Sequence, residues 1–174
     1  MAKWSRELAL LKPTKRIELH LHVSNPNLEV TFYQSIQVLC MRVVTKYLSL
    51  HSRGETDVID ITGSVESAIS ETKVKDGIVT VFVPGSTGAL TTIEYESGLL
   101  RDFPAILDKV VPKHFDYRHG SNGHSHVRAS IIGPSITIPF KDARLTLGTW
   151  QQLVFVELDI RPRSRDLILQ IMGE

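Results

Sequence analysis

Apolar and polar residues alternate with a period of two over most of residues 41 to 174, interrupted by segments of helical period. MRVVTKYLSL and ETDVIDIT read as strands, and SVESAISETK reads as a helix that Thr62 or Ser64 caps. Lys75, Asp76 and Gly77 end that helix. GIVTVFVP, apolar and β-branched, then reads as a fully buried strand, followed by the turn PGSTG and a second strand, ALTTIEY. In SGLLRDFPAILDKVVP, residues Leu99, Leu100, Phe103, Ile106, Leu107 and Val110 recur at helical spacing around Pro104. KHFDYRHGSNGHS reads as a loop. The segments HVRASIIG, SITIPF, RLTLGT, QQLVFVELD and RDLILQIMG read as five short strands. The expected class is α+β, an antiparallel sheet or sandwich with about two helices packed on one face.

The first forty residues are less regular. A short helix is expected in Ser5 to Leu11, ended by Pro13. RIELHLHV alternates as a half-buried strand closed by the turn SNPN, and LEVTFYQSIQVLC fits a strand or a short helix equally. We therefore expect an N-terminal extension over residues 1–40 and a main domain over residues 41–174.

Composition narrows the function classes. Lys and Arg total 20 against 19 Asp and Glu, a net charge of +1, which offers no basic footprint for nucleic acid. The longest apolar stretches are strand-sized, well below the ~20 residues of a membrane span, so no membrane partner is expected. The single cysteine, Cys40, forms neither an internal disulfide nor a thiolate metal cage, and the basic first residues lack a leader's apolar core. A cytoplasmic location is the expectation.

The chemistry-bearing signal is histidine. Four of seven histidines, His114, His119, His124 and His126, fall between Pro112 and Val127. If HVRASIIG is extended, His124 and His126 project to one face at roughly 6.5 to 7 Å spacing, and His119 joins them from the loop. Three imidazoles suit zinc or a related divalent metal with an open position, and Glu94 then serves as a fourth ligand or as a base. Solvated loop histidines give the same pattern, and RIELHLHV has the same His-x-His spacing with nothing to suggest a metal.

Weaker signals accompany it. The PGSTG turn offers backbone N–H groups with the hydroxyls of Ser86 and Thr87, the ingredients of an anion nest, or else is a plain tight turn. In GTWQQ, Trp150 is placed to stack on a ring and Gln151 to bond a heteroatom, or Trp150 belongs to the core. Arg161, Arg163 and Arg165 alternate around Pro162, as phosphate ligands or as an exposed hairpin tip.

Taken together, VFVPGSTGALTTIEYE, YRHGSNGHSHVRAS, GPSITIP and RLTLGTWQ, in that order, resemble the YjbQ-like family over residues 41 to 174. That resemblance implies a strongly twisted antiparallel sheet, a homotrimer with sites near subunit boundaries, and a divalent metal or anion held by histidines. By position it matches His126 to the histidine of the family's His-x-Arg-Ala motif, His119 to the earlier loop histidine, Asn122 to the asparagine four residues before the motif, and Glu94 to the acidic residue after the second strand. Trp150 and Gln151 match Gly-Thr-Trp-Gln. Residues 1–40 have no recognised counterpart. One departure concerns Gly85, where many bacterial members carry histidine; His124 then becomes the replacement ligand.

The function this resemblance implies is a thiamine-phosphate-synthase type of transfer, joining a pyrimidine diphosphate to a thiazole phosphate as pyrophosphate leaves. The cofactor expected is zinc or magnesium on His119, His124 and His126. Glu94 and Gln151 are expected to be catalytic. Ser86, Thr87, Asn122, Arg128 and Trp150 are expected to hold a small phosphorylated molecule. Two alternatives stand beside it, a metal-dependent phosphohydrolase and a non-enzymatic trimeric module that binds phosphate or a nucleotide.

Overall fold

The structure is a computed structural model that describes Arg16–Glu18, Ser35–Gln37 and residues 41–174. The chain divides into two units, Met1–Cys40 and Met41–Glu174. In the first, β1 (Arg16–Glu18) pairs antiparallel with β2 (Ser35–Gln37). The helix expected in Ser5 to Leu11 and the turn SNPN lie outside the described residues.

The second unit runs β3 (Arg42–His51), β4 (Asp57–Asp60), α1 (Thr62–Thr72), β5 (Gly77–Phe82), β6 (Gly88–Ile93), α2 (Leu99–Val110), α3 (Gly123–Ile132), β7 (Ser135–Lys141), β8 (Arg144–Leu145), β9 (Gln152–Glu157) and β10 (Ser164–Gly173). Two antiparallel sheets result, one of five strands in the order β3-β10-β5-β7-β8 and one of three in the order β4-β9-β6. The α+β class read from the sequence is the class observed.

Strand alternation decides how the layers meet. Leu167, Leu169 and Leu153, with Val79, Val81, Ile138 and Phe155, fill one core between the sheets, which α1 closes with Val65 and Ile69. On its other face β9 turns Val154 and Val156 toward Ala89 and Ala129, with Leu100, Phe103 and Leu107 of α2 packed against them. Both faces of β9 are covered. That explains why QQLVFVELD is nearly continuous in apolar residues instead of alternating with polar ones. Each side chain fully buried here contributes about 1.5–3 kcal/mol.

Among the described residues three helices form, not two, and they do not share one face. HVRASIIG, expected as a strand, is the body of α3. Its Val127, Ala129 and Ile131 mimic a period of two, but Val127 and Ile131 are exposed while His124, Ser125 and Arg128 are buried. The buried polar face has partners elsewhere in the fold, and that inverts the expected pattern. The helix boundaries are conventional: Asn122 precedes the first turn, and Gly133, with φ at 108°, stops it before Pro134. Neither Thr62 nor Ser64 caps α1 through its side chain; the Asp60 carboxylate accepts the Thr62 N–H at 2.9 Å instead.

Candidate functional site: a histidine corner at the start of α3

The loop from Pro112 to Asn122 is folded onto the first turn of α3. Gly120 adopts φ of 99°, a left-handed conformation that suits glycine, directly after His119. Gly123 lies so close to Tyr117 that a β-carbon there would collide with the Tyr117 side chain. The Tyr117 hydroxyl donates to the Pro112 carbonyl at 2.7 Å, which pins the loop from its other end.

This fold brings His119 and His126 together, with ring centroids 4.4 Å apart and planes at 65°. Asn122, one helical turn before His126, places its amide nitrogen 3.3 Å from Nε2 of that ring. His119 is exposed and His126 half-buried, so solvent reaches the pair. The three residues form a polar corner at the N-terminus of α3, where the Gly123 and Ser125 N–H groups already donate to the Gly120 and Asn122 carbonyls at 3.1 and 3.0 Å.

His124 is not part of this corner, and the physical reason is the helix. Residues two apart on a helix are separated by about 200° of rotation, so His124 points inward where His126 points outward. It is 3 % exposed. Its ring packs on Tyr117 at 6.2 Å, and Nε2 lies 3.2 Å from Glu55 Oε1, close enough for charge attraction although off the hydrogen-bond line. Both His124 nitrogens and the buried Ser125 hydroxyl are without a hydrogen-bond partner among the described residues.

One turn further along, Arg128, 1 % exposed, is the largest of the fully buried side chains among the described residues. Its guanidinium donates to Glu55 Oε1 at 2.9 Å, to Asp108 Oδ1 at 2.9 Å and twice to the Val111 carbonyl, at 2.6 and 3.0 Å. Lys113 Nζ adds a second cation 3.4 Å from Glu55. The backbone N–H of Lys113, with the guanidinium of Arg128 adding to it, holds the Asp108 carboxyl below its ordinary range against an opposing effect of burial. In this geometry Arg128 is committed to protein groups and ties α3 to the end of α2 and to the β3–β4 loop. Glu55 carries no local sequence signal, because its partner is 73 positions away.

The PGSTG turn is similarly occupied on one side. Thr87 is buried; its hydroxyl accepts from Arg165 at 2.9 Å and donates to Asp159 at 3.3 Å. Ser86 is exposed. Arg165 pairs with the fully buried Glu157 at 2.5 Å, and Arg163 pairs with Asp159 at 2.7 Å. Hydrogen bonding to Glu157 raises the Arg165 pKa despite partial burial. Arg163 and Arg165 are thus counter-ions of buried carboxylates, Arg165 half-buried and Arg163 exposed beside the exposed Arg161 and Pro162, and Ser52 completes the cluster by donating to Glu157 at 2.9 Å.

Glu94, Trp150 and Gln151 lie at the opposite end of the three-stranded sheet. β6 pairs with β9 from Gly88 opposite Glu157 to Ile93 opposite Gln152, so Thr87 precedes that ladder and Glu94 follows it. Six strand residues separate the two ends by ~20 Å. Trp150 is 70 % exposed and belongs to no core. The Gln151 amide closes its own turn, accepting from the Gly148 N–H at 2.9 Å and donating to Thr92 at 3.3 Å. Glu94 is exposed.

A divalent metal needs more than this corner supplies. Among the described residues, no three His, Cys, Asp or Glu side chains converge as a metal-holding group. His119 and His126 give two imidazoles, one short of the three protein ligands of a catalytic zinc site. The expected trio of His119, His124 and His126 is split by the helix.

In Met41–Glu174, two antiparallel sheets with three helices and a histidine corner on a surface loop define an α+β protein. The chain belongs to the family described as UPF0047 protein YjbQ-like, whose profile matches residues 46–174. A UPF0047 protein of Archaeoglobus fulgidus is 37 % identical over 128 residues, 72 % of this chain and 98 % of the relative. One from Methanocaldococcus jannaschii is 35 % identical over 139 residues, 79 % of this chain and 99 % of the relative. Among solved structures, a YbjQ-like protein of unknown function from Sulfolobus solfataricus matches with a TM-score of 0.74 at 29 % identity, covering 78 % of this chain and 100 % of that one. A YjbQ/UPF0047 protein from Clostridium acetobutylicum matches with a TM-score of 0.69 at 38 % identity, covering 72 % of this chain and 98 % of that one. No helix among the described residues is long and apolar enough to cross a membrane.

Proposed function

We propose that the His119–Asn122–His126 corner binds the phosphate group of a small phosphorylated molecule and assists its departure in a group transfer of the thiamine-phosphate-synthase type. The observation that carries this reading is the pairing of His119 and His126 at 4.4 Å beside Asn122, at the N-terminus of α3. Two imidazoles, an amide donor and the positive end of a helix dipole form one anion-facing surface.

In the transfer, the bond between the pyrimidine methylene and the diphosphate oxygen breaks, and its electron pair leaves with pyrophosphate. The thiazole nitrogen forms the new bond to that methylene carbon. Imidazole N–H groups of His119 and His126 stabilise the charge that develops on the leaving oxygens, an electrostatic role worth several kcal/mol at well-placed donors. Arg128 acts from behind as a positioning residue, since it holds α3 against Glu55 and Asp108. A divalent ion carried in by the diphosphate would supply further neutralisation.

Trp150, Glu94 and Gln151 lie at the far end of the β6–β9 ladder from the PGSTG turn. In a homotrimer, which the proposal includes, they serve from a neighbouring copy, with the exposed indole as a stacking surface for the pyrimidine. Ser86 and the backbone of the PGSTG turn remain candidates for a second phosphate.

The test is direct. Purified protein is incubated with hydroxymethylpyrimidine diphosphate, thiazole phosphate and magnesium, and thiamine phosphate is measured by fluorescence after oxidation. Product above a folded His126→Ala control is expected. Equal product from both proteins, or none, would reject the transferase reading.

A further inference from the structure

The PGSTG turn between β5 and β6 carries donors that the histidine corner does not use. Gly85 adopts φ of 127°, a conformation that suits glycine and strains other residues. The Thr87 carbonyl accepts the Leu158 N–H at 2.9 Å, which fixes the turn against the segment that follows β9. The N–H groups of Gly85, Ser86 and Thr87, by contrast, donate to no protein acceptor among the described residues. Thr87 is buried, and folded chains pair nearly all backbone donors at such positions. Successive N–H groups in a turn of this kind form an anion-binding concavity.

Arg165 brings a cation to the same turn. A guanidinium has five N–H donors. Its Nε donates to Glu157 Oε2 at 2.8 Å, and Nη2 donates to Glu157 Oε1 at 2.5 Å and to the Thr87 hydroxyl at 2.9 Å. Both N–H groups of Nη1 are left without an acceptor among the described residues. Nη1 lies 3.3 Å from where a β-carbon on Gly85 would stand, so it is the missing side chain that leaves this nitrogen uncovered. Glu157, fully buried, grips the guanidinium by its other edge and fixes its plane before any ligand arrives. The nearby carboxylates are already matched, Glu157 by Arg165 and Asp159 by Arg163, and the exposed side chain of Arg161 adds a cation without an ion-pair partner among the described residues. An arriving anion meets no unbalanced negative charge.

We propose that the PGSTG turn and Arg165 form an oxyanion subsite for the terminal phosphate of a phosphate ester. The donors are Arg165 Nη1, the N–H groups of Gly85, Ser86 and Thr87, and the Ser86 hydroxyl. The Thr87 hydroxyl is not among them, because it accepts from Arg165 and donates to Asp159 at 3.3 Å. Donors converging from a turn and from a fixed guanidinium suit the several oxygens of a tetrahedral phosphate better than the two of a planar carboxylate. The subsite uses no side chain of the histidine corner and does not rest on the transferase reading, so either can fail without the other.

Heteronuclear NMR of the isotope-labelled full chain, titrated with inorganic phosphate, tests this. The amide signals of Gly85, Ser86 and Thr87 and the side-chain signal of Arg165 are expected to shift together and to saturate. Ser86→Asp sets a carboxylate in the turn at an exposed position and is expected to weaken that binding about tenfold or more. Ser67→Asp on α1 makes the same change in net charge and is expected to leave it unaltered. Arg165→Lys keeps a cation for Glu157 but supplies no Nη1, and is expected to lose the response of the turn; should that variant misfold, Ser86→Asp decides alone. The His119→Ala, His126→Ala double variant is expected to keep the response. Turn signals that ignore phosphate, that respond equally in Ser86→Asp, or that fall silent when the two histidines are removed overturn the proposal and leave the turn's donors to water.

Discussion

Arg128 and Glu55 face each other at 2.9 Å across 73 positions of sequence, and the arginine is 1 % exposed. An ion pair so enclosed stabilises little relative to a well-packed apolar pair, but removing one partner leaves the other desolvated and uncompensated. Arg128→Leu is expected to lower stability by about 3 kcal/mol in urea titration. Arg128→Lys is expected to recover only part of that, because one ammonium cannot serve Glu55, Asp108 and the Val111 carbonyl from three directions. A direct phosphate ligand would behave differently: Arg128→Lys would leave the stability near wild type and weaken phosphate binding alone.

Stability is expected to fall in mild acid, partly through Asp159. Burial alone pushes this carboxyl up, but the hydrogen bond from Arg163, the Arg161 N–H, the charge of Arg163 and the Thr87 hydroxyl together hold it below its ordinary value. A folded-state pKa below the unfolded one gives stability that is complete above about pH 4 and drains as pH falls through the folded value. Asp57, lowered chiefly by its bonds to Arg53 against an opposing burial effect, acts in the same direction. Melting temperature followed from about pH 5 to about pH 3 should therefore drop more steeply in wild type than in Asp159→Asn. Parallel curves would show that Asp159 carries none of the dependence.

Much of this architecture was legible in the alternation of side chains, because most strands bury one face and expose the other. The RDLILQIMG strand is the clearest case, with Leu167, Leu169 and Ile171 fully buried between more exposed neighbours. The α3 helix was misread for an identifiable reason. Its apolar residues alternate as in a strand, and its true core face is polar, satisfied by Glu55, Asp108 and a carbonyl that lie far away in sequence. Asn122 ahead of the segment and Gly133-Pro134 behind it were the available helix signals. In the site, the His119–His126 pair was foreseeable from clustering. The removal of His124 to the interior followed from the missed helix, and the separation of Glu94 and Trp150 from the PGSTG turn followed from the β6 ladder.

Trp150 supplies an optical reporter of the proposed ligand. The chain holds two tryptophans, Trp4 and Trp150, so a Trp4→Phe variant reports position 150 alone. An indole 70 % exposed emits as a solvated ring. Stacking of a pyrimidine on it is expected to quench and blue-shift the emission in a saturable way, since aromatic stacking desolvates the ring. Titration with the pyrimidine diphosphate checks this, with inorganic pyrophosphate as the comparison. Quenching by both alike would place the effect in the phosphate groups and leave the indole without a stacking role.

The contact between Gly123 and Tyr117 makes the corner sensitive to a single methyl group. A β-carbon at position 123 would overlap the Tyr117 side chain, whose ring also leans on His124 and whose hydroxyl anchors Pro112. Overpacking of this kind costs about 1–3 kcal/mol when the surroundings must shift. Gly123→Ala is therefore expected to melt earlier than wild type and to move the loop that carries His119 away from His126. Histidine ring signals in heteronuclear NMR would report that movement. Tyr117→Gly, which removes the β-carbon that position 123 would strike, combined with Gly123→Ala should relieve the clash, so the double variant is expected to lose less stability than the two single effects added together. Strict additivity would mean that the glycine is required for something other than the approach of Tyr117.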